Sequence, residues 1–144
     1  MVKGTLVSIN VSAKKGECKT PVPSIYVTKK GLKGDAHAGN SHRQVSLLSE
    51  ESIEKMRRSG IEIGYGDFAE NLTVRGIELS KLSIGQRIRV GRDVVLEVTQ
   101  IGKECHQDCV IRKKIGDCIM PREGIFARVI SGGLISVGDG IIID

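Results

Sequence analysis

The chain has 144 residues, and its 22 Lys and Arg against 17 Asp and Glu give a net charge of +5. A chain of this length suits one domain, spanning residues 1–144, that buries about 70% of its unfolded surface without disulfides. The positive charge permits an anionic partner. With no Trp, two Phe and two Tyr, the chain lacks the rings on which single-stranded nucleic acid stacks. We therefore expect a small anionic ligand and no nucleic acid.

The N-terminus and the cysteine content point to a cytoplasmic protein. Residues Met1–Gly4 lead directly into an alternating apolar pattern, without the apolar core of a signal peptide. No segment approaches the roughly 18 apolar residues that cross a bilayer, so we expect no membrane partner. The four cysteines are then expected to be reduced, and clustered thiols in such a compartment are usually reactive or metal-binding.

Short β-branched runs between eighteen glycines predict a mostly β fold with one or two short helices. In the first part of the chain the predicted features are a strand, a short extended segment, a loop rich in Lys, Gly, Asp and His, and an apolar run: Thr5–Val11, Ser24–Thr28, Lys29–His42 and Val45–Leu48. The composition of the loop is typical of a functional connection.

One helix is predicted after Ser49, whose hydroxyl is a good N-cap, and Gly60 is expected to terminate it. Acidic residues occupy its first turn and basic residues its last, as the helix dipole favours. Ile53 and Met56 are three residues apart, and they predict the buried side of this helix.

The second part of the chain is read as further strands around one irregular segment. We predict a strand at Glu70–Val74, followed by a hairpin of Ile84–Val90 and Val94–Ile101 that turns at Gly91–Asp93. Three closing strands are predicted at Ile125–Ile130, Leu134–Val137 and Ile141–Ile143. Glycine turns between the last three are typical of the edge of a barrel. Residues Cys105–Arg122 lose the alternation and form a second candidate functional loop.

Cys105 is the first candidate for chemistry. Lys103 and His106 lie close to it in sequence, and nearby positive charge favours the thiolate. A thiolate is required for nucleophilic attack, persulfide formation and ligation of a soft metal. The alternative is a small buried hydrophobic residue, which is the commoner role of a single cysteine.

Cys109 and Cys118 leave further interpretations open. With Cys105 and His106 they provide four ligands that could hold zinc. The spacing differs from the usual pair of short Cys-x2-Cys motifs, and adjacent residues converge poorly on one ion. Alternatively, Cys109 or Cys118 could attack an oxidised or persulfidated Cys105.

The loop from Gly34 to Arg43 offers Asp35, His37 and His42. Its glycines let the backbone approach a ligand, its imidazoles can donate to an anion, and an Asp-x-His pair can bind a metal or fix a histidine tautomer. The alternative is a solvated turn.

Five stretches together resemble the MOSC domains, a family named for the carboxyl-terminal domain of molybdenum-cofactor sulfurases. They are Gly31–Gly39 (GLKGDAHAG), His42–Leu48 (HRQVSLL), Phe68–Thr73 (FAENLT), Gly102–His106 (GKECH) and Gly116–Ala127 (GDCIMPREGIFA). The last is typical of the short, stand-alone prokaryotic branch.

The resemblance implies a strand-rich, barrel-like fold and one reactive cysteine, Cys105, that carries sulfur or ligates molybdenum. It implies the molybdenum cofactor, molybdopterin, as the bound group, with pyridoxal phosphate only in a partner desulfurase. Partners would be such a cysteine desulfurase or molybdopterin biosynthesis proteins. The residues expected to hold the cofactor are Lys33, Asp35, His37, His42, Arg43, Asn71 and Arg112.

Two alternatives to a sulfur carrier or metal-binding protein remain. One is a molybdenum-dependent reductase of N-hydroxylated compounds, although the sequence shows no electron-transfer domain and Gly-Lys-Glu before Cys105 departs from the reductase pattern. The other is a non-catalytic zinc or thiol redox-sensing module built on Cys105, Cys109 and Cys118.

Overall fold

The computed structural model describes residues 2–14, 17–58, 60, 62–102 and 123–143. These residues form strands connected mostly by tight turns. The strands are β1 Val2–Val11, β2 Thr20–Val22, β3 Ser24–Thr28, β4 Gly31–Leu32, β5 Val45–Ser49, β6 Leu72–Arg75, β7 Arg87–Val90, β8 Val94–Ile101, β9 Ile125–Ser131, β10 Gly133–Ser136 and β11 Gly140–Ile143. Residues Glu50–Arg57 form helix α1, and Leu79–Lys81 form a short 3₁₀ turn.

Seven of the described strands close into a barrel in the order β1-β6-β5-β9-β8-β7-β11 and back to β1. β1 closes it because its first residues, Val2–Thr5, pair with β11 while its opposite edge pairs with β6. Strands β5 and β6 run parallel, and the other pairs in the barrel are antiparallel. Closure pairs the edges that an open sheet would expose. The predicted barrel-like, mostly β fold is confirmed.

A small second sheet, β10-β3-β4, lies against the barrel. Its buried residues Val27, Leu32 and Ile135 belong to the same apolar core as the barrel interior. The sheet therefore fixes the start of the loop that connects β4 to β5.

The barrel interior follows the alternation of the sequence. In the β7–β8 hairpin every second residue is buried, and the strands turn at Gly91–Asp93 as predicted. β5 differs, because all five of its residues are buried. Leu47 packs inside the barrel, whereas Leu48 packs outside it in a second cluster with Ile53 and Phe126. Helix α1 covers this outer wall.

Helix α1 begins as predicted but ends earlier. Ser49 occupies the N-cap position with extended backbone, yet its hydroxyl donates to the carbonyl of Ile77 at 2.7 Å and makes no cap hydrogen bond. The helix ends at Arg57, before Gly60. Ile53 is fully buried and Met56 is partly buried, in agreement with the predicted buried side.

Some predicted boundaries shift. β1 starts at Val2, before the predicted Thr5, because Val2–Thr5 pair with β11. The predicted strand Glu70–Val74 begins only at Leu72, and the predicted loop Lys29–His42 contains β4. The second candidate loop, Cys105–Arg122, lies outside the described residues. No helix in the described part of the chain is long and apolar enough to cross a membrane.

Candidate functional site

The loop between β4 and β5, residues 33–44, is anchored by the side chain of Gln44. This buried amide donates from Nε2 to the carbonyls of Lys29, at 3.0 Å, and Gly39, at 2.7 Å. Its Oε1 accepts from the backbone N–H of Val129 in β9 at 2.8 Å. One side chain therefore ties the turn between β3 and β4 and the middle of the loop to the barrel wall.

Asp35 is the buried centre of this loop. Its Oδ1 accepts from Lys19 Nζ at 2.8 Å and from the Ser12 N–H at 3.0 Å, and its Oδ2 accepts from the His37 N–H at 3.0 Å. Burial raises the pKa of Asp35, but the hydrogen bonds from His37, Lys19 and Ser12 outweigh it and hold that pKa well below its usual range. The carboxylate is therefore ionised, and both of its oxygens are engaged within the protein.

His37 is placed against this carboxylate. Its Nδ1 lies 3.6 Å from Asp35 Oδ2, and this nitrogen is buried without a hydrogen-bond partner among the described residues. The imidazole side chain is 20% exposed. A carboxylate beside one ring nitrogen orients a histidine and leaves its other nitrogen for a ligand.

His42 and Arg43 meet on one acceptor. Gln100 Oε1 lies 2.7 Å from His42 Nε2 and 2.9 Å from Arg43 Nε. The guanidinium of Arg43 lies over the ring of Phe126, 5.3 Å from its centroid. His42 is exposed and Arg43 is half-buried. Gln100 of β8 and Phe126 of β9 thus hold two basic side chains of the β4–β5 loop together at the surface.

This basic pair lies beside the ends of the segment that contains Cys105. Gln100 Nε2 donates to the carbonyl of Gly102 at 2.8 Å, and the Gly102 N–H donates to the carbonyl of Gly124 at 2.7 Å. Gly102 and Gly124, which lie on either side of residues 103–122 in the sequence, are therefore tied to the part of the barrel that holds His42 and Arg43.

Asn71 lies in a buried hydrogen-bond network between strands. Its Oδ1 accepts from the Ser46 N–H at 2.9 Å and the Ser46 hydroxyl at 3.2 Å, and its Nδ2 donates to the Asn10 carbonyl at 3.1 Å. The side chain is fully buried. These contacts join β1 to β5 where β6 begins, so Asn71 has a structural role in the described barrel.

Glu70 lies beside Asn71 and is also fully buried. Its carboxylate accepts from the Phe68 N–H at 3.2 Å and from the Thr73 hydroxyl at 3.0 Å. Burial raises the pKa of Glu70 to about 7, because these hydrogen bonds only partly replace water around the charge. This buried group therefore stays protonated to a higher pH than an exposed carboxyl group does.

Of the remaining predicted site residues, Lys33 lies in the described part of the chain and Cys105 and Arg112 lie outside it. Lys33 is exposed, and its backbone N–H donates to the Tyr26 carbonyl at 3.0 Å. Cys109 and Cys118 also lie outside the described residues. In the described part of the chain, no group of three or more His, Cys, Asp or Glu side chains is arranged to hold a metal ion.

The structure thus groups Asp35 with His37 and His42 with Arg43, and it sets Asn71 apart. Sequence reasoning missed the side chains that organise these pairs, which are Lys19, Gln44 and Gln100. Gln44 and Glu70 fall inside stretches that resemble the MOSC family, and this was the available signal for them. Lys19 and Gln100 have no local sequence signal.

A closed barrel with one covering helix and a side sheet defines the MOSC type of fold. The family model described as the MOSC domain matches residues 34–142. The chain belongs to this family, which is associated with the molybdenum cofactor.

Solved structures support the fold. The YuaD protein of Bacillus subtilis superposes with a TM-score of 0.81 at 19% identity, covering 96% of this chain and 94% of that one. YiiM of Geobacillus stearothermophilus superposes with a TM-score of 0.76 at 23% identity, covering 98% of this chain and 75% of YiiM. YiiM of Escherichia coli superposes with a TM-score of 0.72 at 18% identity, covering 98% of this chain and 69% of that protein. A search of curated proteins finds no match.

Proposed function

We propose that this domain binds the molybdenum cofactor or its precursor and uses Cys105 as a sulfur carrier or as a thiolate ligand to molybdenum. The observation that carries the proposal is the pair His42 and Arg43, held by Gln100 beside Gly102. Cys105 follows Gly102 by three residues, and three residues span at most about 11 Å. This short separation in sequence supports assigning the thiol and the basic pair to one site.

The donor groups suit an anionic pterin. Among the described residues, Arg43 uses Nε for Gln100, so its terminal nitrogens remain to face a phosphate. A guanidinium binds phosphate through paired N–H donors. His37 has an exposed ring portion, and Lys33 is exposed on the same loop. The phosphate would lie on the terminal nitrogens of Arg43 beside His42, with Lys33, His37 and Arg112 around the pterin.

The cofactor, when bound, supplies molybdenum redox and sulfur chemistry, and the chain supplies the thiolate. In the carrier role, the Cys105 thiolate attacks the terminal sulfur of a donor persulfide. A sulfur–sulfur bond forms at Cys105, the donor sulfur–sulfur bond breaks, and the donor cysteine leaves as a thiolate. Positive charge near Cys105 would stabilise the attacking thiolate.

Anaerobic purification from a host that makes the cofactor tests this proposal. We expect the intact protein to carry either an added mass of about 32 Da, one persulfide sulfur, or bound molybdenum and pterin. Cys105→Ser should lose whichever is present. Cys18→Ser is the matched control, because Cys18 is half-buried with its thiol 3.4 Å from the Asp67 carbonyl, and a hydroxyl can keep that contact.

Each alternative predicts a different measurement. Stoichiometric zinc that depends on Cys105, Cys109 and Cys118, without molybdenum, would replace the proposal with a zinc module. Turnover of an N-hydroxylated compound by the cofactor-loaded protein with an artificial reductant would favour the reductase. Sulfur and cofactor contents unchanged by Cys105→Ser would refute a role for that thiol.

A further inference from the structure

The side chain of Gln100 makes three polar contacts, two of them to the basic pair. Its Oε1 accepts two of them, from His42 and Arg43, and its Nε2 makes the third, to the Gly102 carbonyl. Because Arg Nε always carries a hydrogen, the Gln100 atom facing it must be the amide oxygen. The same oxygen can only accept, so His42 Nε2 must carry a hydrogen too.

The result is a fixed orientation of both basic groups. Arg43 is held on one side by Gln100 and on its face by Phe126, the register partner of Gln100 across β8 and β9. Thr99, next to Gln100, donates from its hydroxyl to the His42 carbonyl. Neither basic side chain has to be ordered when a ligand arrives, which removes part of the entropic cost of binding.

We propose that Gln100 is a positioning residue, which fixes the His42 tautomer and the Arg43 guanidinium so that the terminal nitrogens of Arg43 form a preorganised subsite for a phosphate group beside His42. The inference rests on the proposed function for its choice of ligand, the terminal phosphate of a pterin. It is tested independently of Cys105 and of molybdenum.

The test uses the apo-protein and inorganic phosphate, followed by NMR at the Arg43 Nε–H and the His42 ring. At about pH 8, where an ordinary imidazole is mostly neutral, ¹⁵N shifts should show His42 as the Nε2–H tautomer. Gln100→Leu should give mixed tautomers and phosphate affinity about five- to tenfold weaker, with the backbone spectrum otherwise retained. Gln86→Leu is the matched control, since Gln86 accepts from the Ser83 N–H in another turn.

Gln100→Glu separates positioning from simple structural support. A carboxylate keeps the acceptor, so the Nε2–H tautomer should be restored, while its charge should still weaken phosphate binding. The inference is overturned if Gln100→Leu changes neither tautomer nor affinity, or if phosphate does not perturb the pair in the wild type. A Cys105-dependent sulfur or molybdenum signal would stand in either case, so the two failures are distinguishable.

Discussion

Lys19 and Asp35 carry opposite charges and are both removed from solvent, with 2.8 Å between Nζ and Oδ1. Breaking a buried pair by neutralising one partner leaves the other charge without compensation. Asp35 also holds the backbone of Ser12 and His37. The pair therefore orders the loop that carries His37, and it provides no spare oxygen for a ligand.

Asp35→Asn is expected to destabilise the protein by about 3–5 kcal/mol, because Lys19 would remain charged and buried. Adding Lys19→Met should recover part of this loss, so the double variant should lose less than the sum of the single variants. Urea unfolding at neutral pH measures the free energy of unfolding of the single variants and of the double variant. Arg128→Gln is the control, since its ion pair with Glu97 is exposed and should contribute less than about 1 kcal/mol. Additive losses would contradict the coupling.

Glu70 gives a stability that depends on pH. Its pKa rises from 4.5 to about 7 on folding, so between these values the folded state keeps a proton that the unfolded state releases. Stability should therefore fall as pH rises through this window and level off above it, by about 3 kcal/mol in all. The effect of pH on stability has the opposite direction for Asp35, because its lowered pKa stabilises the fold above acidic pH and this contribution is lost as pH falls.

Glu70→Gln should remove this dependence and be more stable than the wild type at pH about 8. The amide matches the protonated acid, with its oxygen towards the Phe68 N–H and its NH₂ towards Thr73. Thermal unfolding over the pH range measures the effect. The exposed Glu78→Gln should leave the profile unchanged. A wild-type profile that is flat between pH 4.5 and 7 would show that Glu70 does not titrate there.

At the scale of elements, the turn before Glu70 is packed against the connection between β1 and β2. A Cβ on Gly66 would overlap the carbonyl oxygen of Lys19, and its φ is +88°. The Lys19 N–H donates to the Gly66 carbonyl at 2.7 Å. The two loops therefore touch through backbone, which only glycine permits at this position.

Gly66→Ala should destabilise the fold by at least about 3 kcal/mol, through overlap added to backbone strain. Gly34→Ala is the matched control, because its φ is +80° but nothing lies within 4 Å of its added Cβ. Strain alone should cost about 1–2 kcal/mol there. Chemical unfolding measures the loss of unfolding free energy in each variant. Equal losses would show that overlap with Lys19 does not destabilise Gly66→Ala.

The sequence predicted elements better than it predicted contacts. Alternation located the β7–β8 hairpin and its turn, because one face of each strand is buried in the barrel. Helix α1 ends at Arg57, slightly earlier than predicted, and Gly60 lies in the turn that follows, with a φ of +91° and its N–H donating to the Arg57 carbonyl at 3.0 Å. Ser49 was predicted to cap the helix, but the hydroxyl meets Ile77, 28 residues away.

The side chains that build the candidate site were beyond local patterns for the same reason. Gln100 meets Arg43 across 57 residues, and Gln44 meets Val129 across 85. Such contacts depend on which strands become neighbours, and composition does not specify strand order. The predicted histidines were recognisable because a loop rich in Gly, Asp and His is itself a local signal, whereas Arg43 was implied by the family resemblance.

At the scale of the molecule, the barrel determines which loops meet. β9 pairs with β5 on one side and with β8 on the other. The loop entering β5 therefore reaches β8 across β9, because Arg43 lies over Phe126 of β9 and donates to Gln100 of β8, although 57 residues separate Arg43 from Gln100 in the chain. Residues 103–122, which include Cys105, follow β8 in the sequence. The central claim is that these two parts of the chain act on one cofactor.

A double-mutant cycle on cofactor affinity tests this claim most directly. Wild type, Cys105→Ser, Arg43→Gln and the double variant would be titrated with molybdopterin, followed by pterin fluorescence. If both residues hold one ligand, the double variant should lose less affinity than the sum of the single losses, with a coupling of at least about 1 kcal/mol, or roughly fivefold. Losses that add to within about 0.5 kcal/mol, or a wild type that does not bind molybdopterin, would contradict a shared site.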